Sequence, residues 1–228
     1  MVKPNGLHHL AVSTGDIKQQ IAFFSDVLGM ELVALYWMHG VEGAWHGFMK
    51  LNDHASVAFV QTPDMAKIAP VMGVSHSGTP AYASAPGTMQ HVAFNVDDDA
   101  ALLAMRDRIR SRGVNVLGPI DHGMCKSIYF AGPELLCLEI STSSEPIDAR
   151  AWIDPEVVAL AGISPAELTD YVTPPAYDGE NGAVGQPPYD SAKPHQTYPK
   201  ELYQHLLAMP DEAFAARASV TEPPVKVA

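Results

Sequence analysis

"LHHLAVSTGD", residues 7–16, and "MQHVAFNVDD", residues 89–98, decide the fold between them. Each sets a histidine, His9 or His91, at the head of a short apolar run that closes on aspartate. After the first, Ile17, Ile21, Phe24 and Leu28 recur at three- and four-residue intervals, and after the second Leu102, Met105 and Ile109 do the same. That spacing predicts one amphipathic helix behind each strand. Both helices stop at glycine and hand over to strand-like "LGMELVAL" (28–35) or "RGVNVLGPI" (112–120). Each copy closes on an alternating strand, "SVAFVQT" (56–62) or "LCLEIST" (136–142). Fifty residues separate His9 from Phe59 and 48 separate His91 from Glu139, so Phe59 reads as the counterpart of Glu139. The expected fold is α+β: two paired βαβββ modules, residues 1–64 and 88–146, a connecting loop at 65–87, and an extension at 147–228, in one compact domain.

Composition narrows the function classes. Of 228 residues 47% are apolar, enough for a sizeable core, and the net charge is −12 with only 14 Lys and Arg. No basic run occurs, which argues against a nucleic-acid or anionic-membrane partner. The two cysteines, Cys125 and Cys137, are too few for a disulfide framework. MVKPNGLHHL has no charged-then-apolar leader and no apolar run reaches bilayer length, so a cytoplasmic setting is expected.

A repeat by itself needs only a packing reason. What points to chemistry is where its polar residues fall. His9, His91 and Glu139 stand on strands among Leu, Val, Ala, Phe and Ile, where an unpaired polar group is costly. Two imidazoles and one carboxylate from repeat-related strands make a facial triad, which leaves open positions on non-haem Fe(II). Alternation along a strand places His8 and His9 on opposite faces, and the second copy has Gln90 and His91, so His9 is read as the ligand and His8 as a bystander.

The paired modules resemble the vicinal oxygen chelate superfamily of glyoxalase I, bleomycin-resistance proteins and type I extradiol dioxygenases. The resemblance covers about residues 5–145 and implies βαβββ modules whose curved sheets enclose a metal held by His9, His91 and Glu139. Glyoxalase I carries a further carboxylate on the closing strand of its first module, where this chain has Phe59. That difference, and "SIYFAGPELLCLEI" (127–140), are most similar to the extradiol dioxygenases: Tyr129, Pro133 and Glu139 match their pattern, while Glu134 and Leu135 replace the usual small residues. By the same resemblance His76, in a Gly- and Pro-rich loop 15 residues before His91, is an acid/base group, and Tyr129 and His122 are polar groups facing substrate.

The implied activity is ring cleavage of a catechol-type aromatic by O2 with Fe(II), Mn(II) or another divalent metal being the alternative. Two other classes share the scaffold: an O2-independent isomerase, lyase or glyoxalase-like enzyme, and a non-catalytic binding or resistance protein. A small aromatic substrate and a homo-oligomeric assembly are the expected partners. Tyr36, Trp37, Trp45, Phe48 and Phe59 could line an apolar pocket or belong to the core. His39, His46 and His54 lack a ligand-like repeat partner and read as surface or substrate-contact residues. In the extension, Asp154–Pro155 and Ser164–Glu167 announce helix starts, 173–199 is too rich in Pro and Gly for regular structure, and "KELYQHLLAMPDEAF" (200–214) reads as one last helix.

Overall fold

A computed structural model describes residues 3–226 except 178, 180 and 181. The repeat folds twice. Strand β1 (His9–Ser13) leads into helix α1 (Ile17–Asp26), followed by β2 (Glu31–Trp37), β3 (Trp45–Asn52) and β4 (Ala55–Gln61). The second copy runs β5 (Val92–Asn95), α2 (Asp99–Ser111), β6 (Val116–Asp121), β7 (Lys126–Ala131) and β8 (Cys137–Thr142). The aspartates that end the two opening stretches cap the helices: Asp16 accepts from Gln19 N at 3.0 Å and Asp98 from Ala101 N at 2.8 Å. Both copies give a four-stranded sheet of the same order, β1-β4-β3-β2 and β5-β8-β7-β6, with the outer pairs β1–β4 and β5–β8 parallel.

Each helix packs on one face of its own sheet, α1 on β2, β3 and β4 and α2 on β6, β7 and β8. Val57, Phe59, Leu138 and Ile140 point to these helices and join Phe24, Leu102 and Ile109 in one buried cluster. Phe24 of α1 meets Phe59 edge-on at 4.9 Å and Phe94 of the second module at 6.3 Å. Polar contacts also tie the modules. Glu134 accepts from Thr14 Oγ1 (2.6 Å), Gly15 N (2.7 Å) and Gln20 Nε2 (2.8 Å), and Arg108 donates to the carbonyl oxygens of Val27 and Asp26. Glu134 and Leu135 have φ of 53° and 62°, the left-handed region that side chains disfavour by about 1–2 kcal/mol each. The three hydrogen bonds to Glu134 offset that strain, which explains why a non-glycine residue stands where the resembling family has small ones.

Strand register corrects one sequence-based pairing. Ala11 faces Ala58 across β1–β4, and Ala93 faces Glu139 across β5–β8, so the residue matching Glu139 is Ala58. Phe59 matches Ile140 one residue on, is fully buried, and points to the helices. The conclusion that the first module has no carboxylate there stands, with alanine in the place assigned to phenylalanine.

After β8, short helices α3 (Ala149–Trp152), α4 (Pro155–Leu160) and α5 (Pro165–Val172) follow. Asp154 caps α4, and Ser164 and Glu167 form the expected capping box of α5. Residues Pro4–Met38 and Gly43–Pro174 form one compact unit; His39–Glu42 and the chain from Pro175 onward belong to a second. In that second unit the expected single last helix is two, α6 (Lys200–Leu207) and α7 (Asp211–Ala218). Pro210 divides them, since it has no N–H to donate and its ring obstructs the preceding turn. Tyr189, His195, Tyr198 and Tyr203 gather there as a ring cluster. Among the described residues no helix is long and apolar enough to cross a membrane.

Candidate metal centre

The face of each sheet turned away from its helix holds the strand-borne candidate residues His9, His91, Tyr129 and Glu139. In the second module it presents His91 at the head of β5, Glu139 and Ser141 on β8, and Ser127 and Tyr129 on β7, with Tyr129 directly opposite Glu139 and Ser127 opposite Ser141. His91 Nε2 stands 2.9 Å from Glu139 Oε2. The other carboxylate oxygen accepts from Ser141 Oγ at 2.6 Å, and Ser141 is itself 2.8 Å from the buried Ser127 hydroxyl. Burial pushes the Glu139 carboxyl up, but hydrogen bonds from Ser127 and Ser141, the facing His91 and the Tyr129 hydroxyl outweigh it and hold it below its ordinary value. Glu139 is therefore a carboxylate although only 5% exposed.

The orientation of the His91 ring follows from its neighbour. Gln90 Nε2 donates to the carbonyl oxygens of Thr79 (3.3 Å) and Tyr82 (3.4 Å), which turns its amide oxygen toward His91 Nδ1. The amide oxygen can only accept, so Nδ1 faces it as the donor, and Nε2 stands 2.9 Å from a carboxylate oxygen. Two lone pairs at that separation repel unless a cation, proton or metal, sits with them. The pair thus offers an imidazole nitrogen and a hydroxyl-held carboxylate oxygen to a shared proton or to a divalent ion.

His9 lies on the corresponding face of the first sheet, at the position matching His91. Its Nδ1 is 2.9 Å from His8 Nδ1, so in both copies the preceding side chain engages Nδ1 of the repeat histidine. His8 is not the opposite-facing bystander that alternation suggested, because the strand begins only at His9 and His8 sits in a bend before it. The structure brings His91 and Glu139 together and leaves the His9 ring against His8 and Phe48. Among the described residues no three His, Cys, Asp or Glu side chains converge closely enough to hold a metal.

Tyr129 and His122 do meet: the phenol oxygen is 2.9 Å from His122 Nε2. Burial, then the neighbouring Glu139 charge among other causes, raises the Tyr129 hydroxyl above its ordinary value, so it stays protonated near neutral pH. His76 is half-buried, bonded to Ser75 Oγ at 2.8 Å, and borders two cavities of about 390 and 260 Å³. The smaller is also lined by Gln90 and Cys137, the neighbours of the His91–Glu139 pair, while the pair itself lines neither.

The aromatic residues divide between faces. Trp37 and Trp45 pair across β2–β3 on the helix side, exposed and edge-on to each other at 5.9 Å, and Phe59 is core. Tyr36 and Phe48 share the open face with His46 and His9, their rings parallel at 6.3 Å. Sequence reasoning missed the contacts of Gln90, Ser127 and Ser141. The period of two in Ser127-x-Tyr129 and Glu139-x-Ser141 is a signal that places all four on one face.

A profile of the Glyoxalase/Bleomycin resistance protein/Dioxygenase superfamily matches residues 6–140. The chain belongs to this superfamily. No curated protein matches it. Among solved structures it is similar to a glyoxylase/bleomycin resistance protein/dioxygenase domain from Frankia sp. EAN1pec, at 11% identity and TM-score 0.48, covering 62% of this chain and 99% of that one. It is also similar to a lactoylglutathione lyase from Agrobacterium tumefaciens, at 20% identity and TM-score 0.43 over 61% and 94% of the two chains. A third is the fosfomycin resistance protein FosX from Listeria monocytogenes with Mn(II) and sulfate, at 15% identity and TM-score 0.42 over 62% and 95%. Members of this superfamily bind small molecules, and metal-dependent enzymes are among them.

Proposed function

We propose that this protein is an Fe(II)-dependent extradiol dioxygenase, with His9, His91 and Glu139 as ligands and a catechol-type aromatic and O2 as substrates. The observation that carries the reading is the 2.9 Å approach of His91 Nε2 to the Glu139 carboxylate, with the Tyr129 hydroxyl beside it on one open sheet face. Bound Fe(II) would bind the catechol oxygens, lower their pKa and pass electron density to O2. Gln90 and His8 hold the imidazoles by Nδ1, leaving Nε2 for coordination. Ser141 and Ser127 keep Glu139 ionised. Tyr129 donates to a substrate oxygen and so favours the catecholate monoanion, with His122 orienting the phenol from 2.9 Å. His76 is the acid/base group, serving the reacting oxygen from the cavity next to Gln90 and Cys137.

One observation favours the O2-independent alternative. His76 borders cavities that the metal pair does not line, and an isomerase, lyase or glyoxalase-like enzyme needs the ligands without that residue. The deciding experiment is to load the protein with Fe(II) anaerobically, add a panel of catechols and air, and follow O2 uptake with the appearance of a yellow ring-opened product. Uptake stoichiometric with product supports the dioxygenase. Absence of uptake with every catechol, despite stoichiometric tight iron, refutes it.

A further inference from the structure

A second polar cluster lies on the helix side of the second sheet, the face opposite His91 and Glu139. A cavity of about 380 Å³ opens there between the start of α2, the β6–β7 turn and the end of β8. Asp97, Asp98, Asp99 and Asp121 line it, and Lys126 is its one lysine. Strand register sets part of this wall in a row: Asp121 faces Lys126 across β6–β7, and Lys126 faces Thr142 across β7–β8. Val96 N donates to Ser141 O at 3.0 Å, which brings Asp97 beside the end of β8. Asp98 caps α2, Asp121 accepts from Gly123 N at 2.8 Å and Asp99 holds the Lys126 ammonium, whereas Asp97 has no hydrogen-bond or ion-pair partner among the described residues. The start of a helix favours an anion, but four carboxylates against one lysine reverse the sign.

Thr142 supplies an independent sign of a ligand. It ends β8 on the face of Leu138 and Ile140, lines the cavity and is only 5% exposed, yet its hydroxyl has no hydrogen-bond partner among the described residues. Gln20 Oε1 and His46 Nε2 also lack partners but are sealed from solvent, whereas Thr142 Oγ1 keeps accessible surface and so opens into the cavity. Buried hydroxyls are usually hydrogen-bonded, and a valine would fill the same space without that cost. Lys126 shows what the walls accept, an ammonium on an alkyl stem: Asp99, through a hydrogen bond and its charge, and then the Asp121 charge raise it above the ordinary lysine value. A single metal ion fits less well, because among the described residues no three acidic side chains converge on one point. Carboxylates spread along a wall suit positive charges spread along a chain.

We infer that this cavity binds an aliphatic polyamine, with one ammonium held by Asp97 and donating to Thr142 Oγ1 and the next drawn toward Asp121. The site uses none of the residues of the proposed metal centre, so it stands or falls apart from ring cleavage.

The test is calorimetric titration of the full chain at low ionic strength with four probes: spermidine, butylamine, magnesium chloride and inorganic phosphate. Spermidine is expected to saturate one site and to bind about tenfold tighter than butylamine, which carries a single charge. An acidic protein attracts polycations over its whole surface, so the deciding variant changes no charge. Thr142→Val is expected to weaken spermidine about tenfold, and Thr142→Ser, which keeps the hydroxyl, to retain it. Asp97→Asn is expected to weaken it about as much, while Asp170→Asn, an exposed aspartate on α5, leaves it unchanged. Thermal unfolding checks that each variant folds, and Asp97→Asn against Asp170→Asn carries the comparison if Thr142→Val does not. Spermidine binding that fails to saturate, that survives Thr142→Val or Asp97→Asn in a folded protein, or that is weaker than binding of magnesium or phosphate overturns the inference.

Discussion

Ser141→Ala tests the proposed metal centre through a residue that would not touch the metal. The Ser141 hydroxyl is 2.6 Å from Glu139 Oε1, a short hydrogen bond to a buried carboxylate, worth about 1.5–3 kcal/mol. Without it Glu139 is a poorer anion and its free oxygen no longer fixes the orientation of Oε2 toward His91. Outer hydrogen bonds of this kind cost about 10–100-fold in metal affinity when removed. The assay is competition for Mn(II) or anaerobic Fe(II) against a fluorescent chelator, backed by thermal unfolding at fixed metal. At a metal concentration of 100 Kd the native protein gains about 2.7 kcal/mol on binding, and a tenfold weaker variant gains about 1.4. Ser141→Thr keeps the hydroxyl and is expected to recover most of the affinity. A Ser141→Ala protein that folds normally and binds either metal within threefold of the native protein refutes the reasoning.

Two further outcomes follow from the same geometry. Gln90→Leu removes the amide oxygen that fixes the proton on His91 Nδ1, so metal affinity is expected to fall about 10–100-fold with folding retained; an unchanged chelator titration contradicts the tautomer argument. Glu134→Ala strands the Gly15 amide and the fully buried Gln20 side-chain donor, and leaves a side chain at φ 53°, so the module pair is expected to lose about 2–5 kcal/mol in denaturant unfolding. A loss below about 1 kcal/mol would show that those bonds are replaced by water.

The paired modules were legible because two strand openings and two helical periodicities recur in order, and each is local. The helix starts at Asp154 and Ser164 were legible for the same reason. Counting residues from His9 to the closing strand was not enough, because that count sums a helix of 10 residues and its loops against one of 13, and strand faces invert with every single residue. Hence Phe59 was assigned a place that Ala58 holds. The His8 face failed at a strand end, where alternation has no force. Contacts such as Glu134 to Thr14 join residues 120 apart and depend on how the modules dock, which neither periodicity nor spacing encodes.

The mismatch between the modules bears on why the first one ends in alanine. Each open-face position exists twice, so a symmetric pair would present two carboxylates, one at 58 and one at 139. Two carboxylates around a divalent cation leave the centre neutral, whereas two neutral imidazoles and one carboxylate leave it a net positive charge. A catecholate monoanion is attracted to the second arrangement and gains nothing from the first. Ala58 also leaves the open face beside Phe48 and His46 uncharged, where a glutamate would place a charge opposite the Phe48 ring. On the proposed function, the divergence of the two copies leaves the one carboxylate to the second module and an uncharged open face to the first.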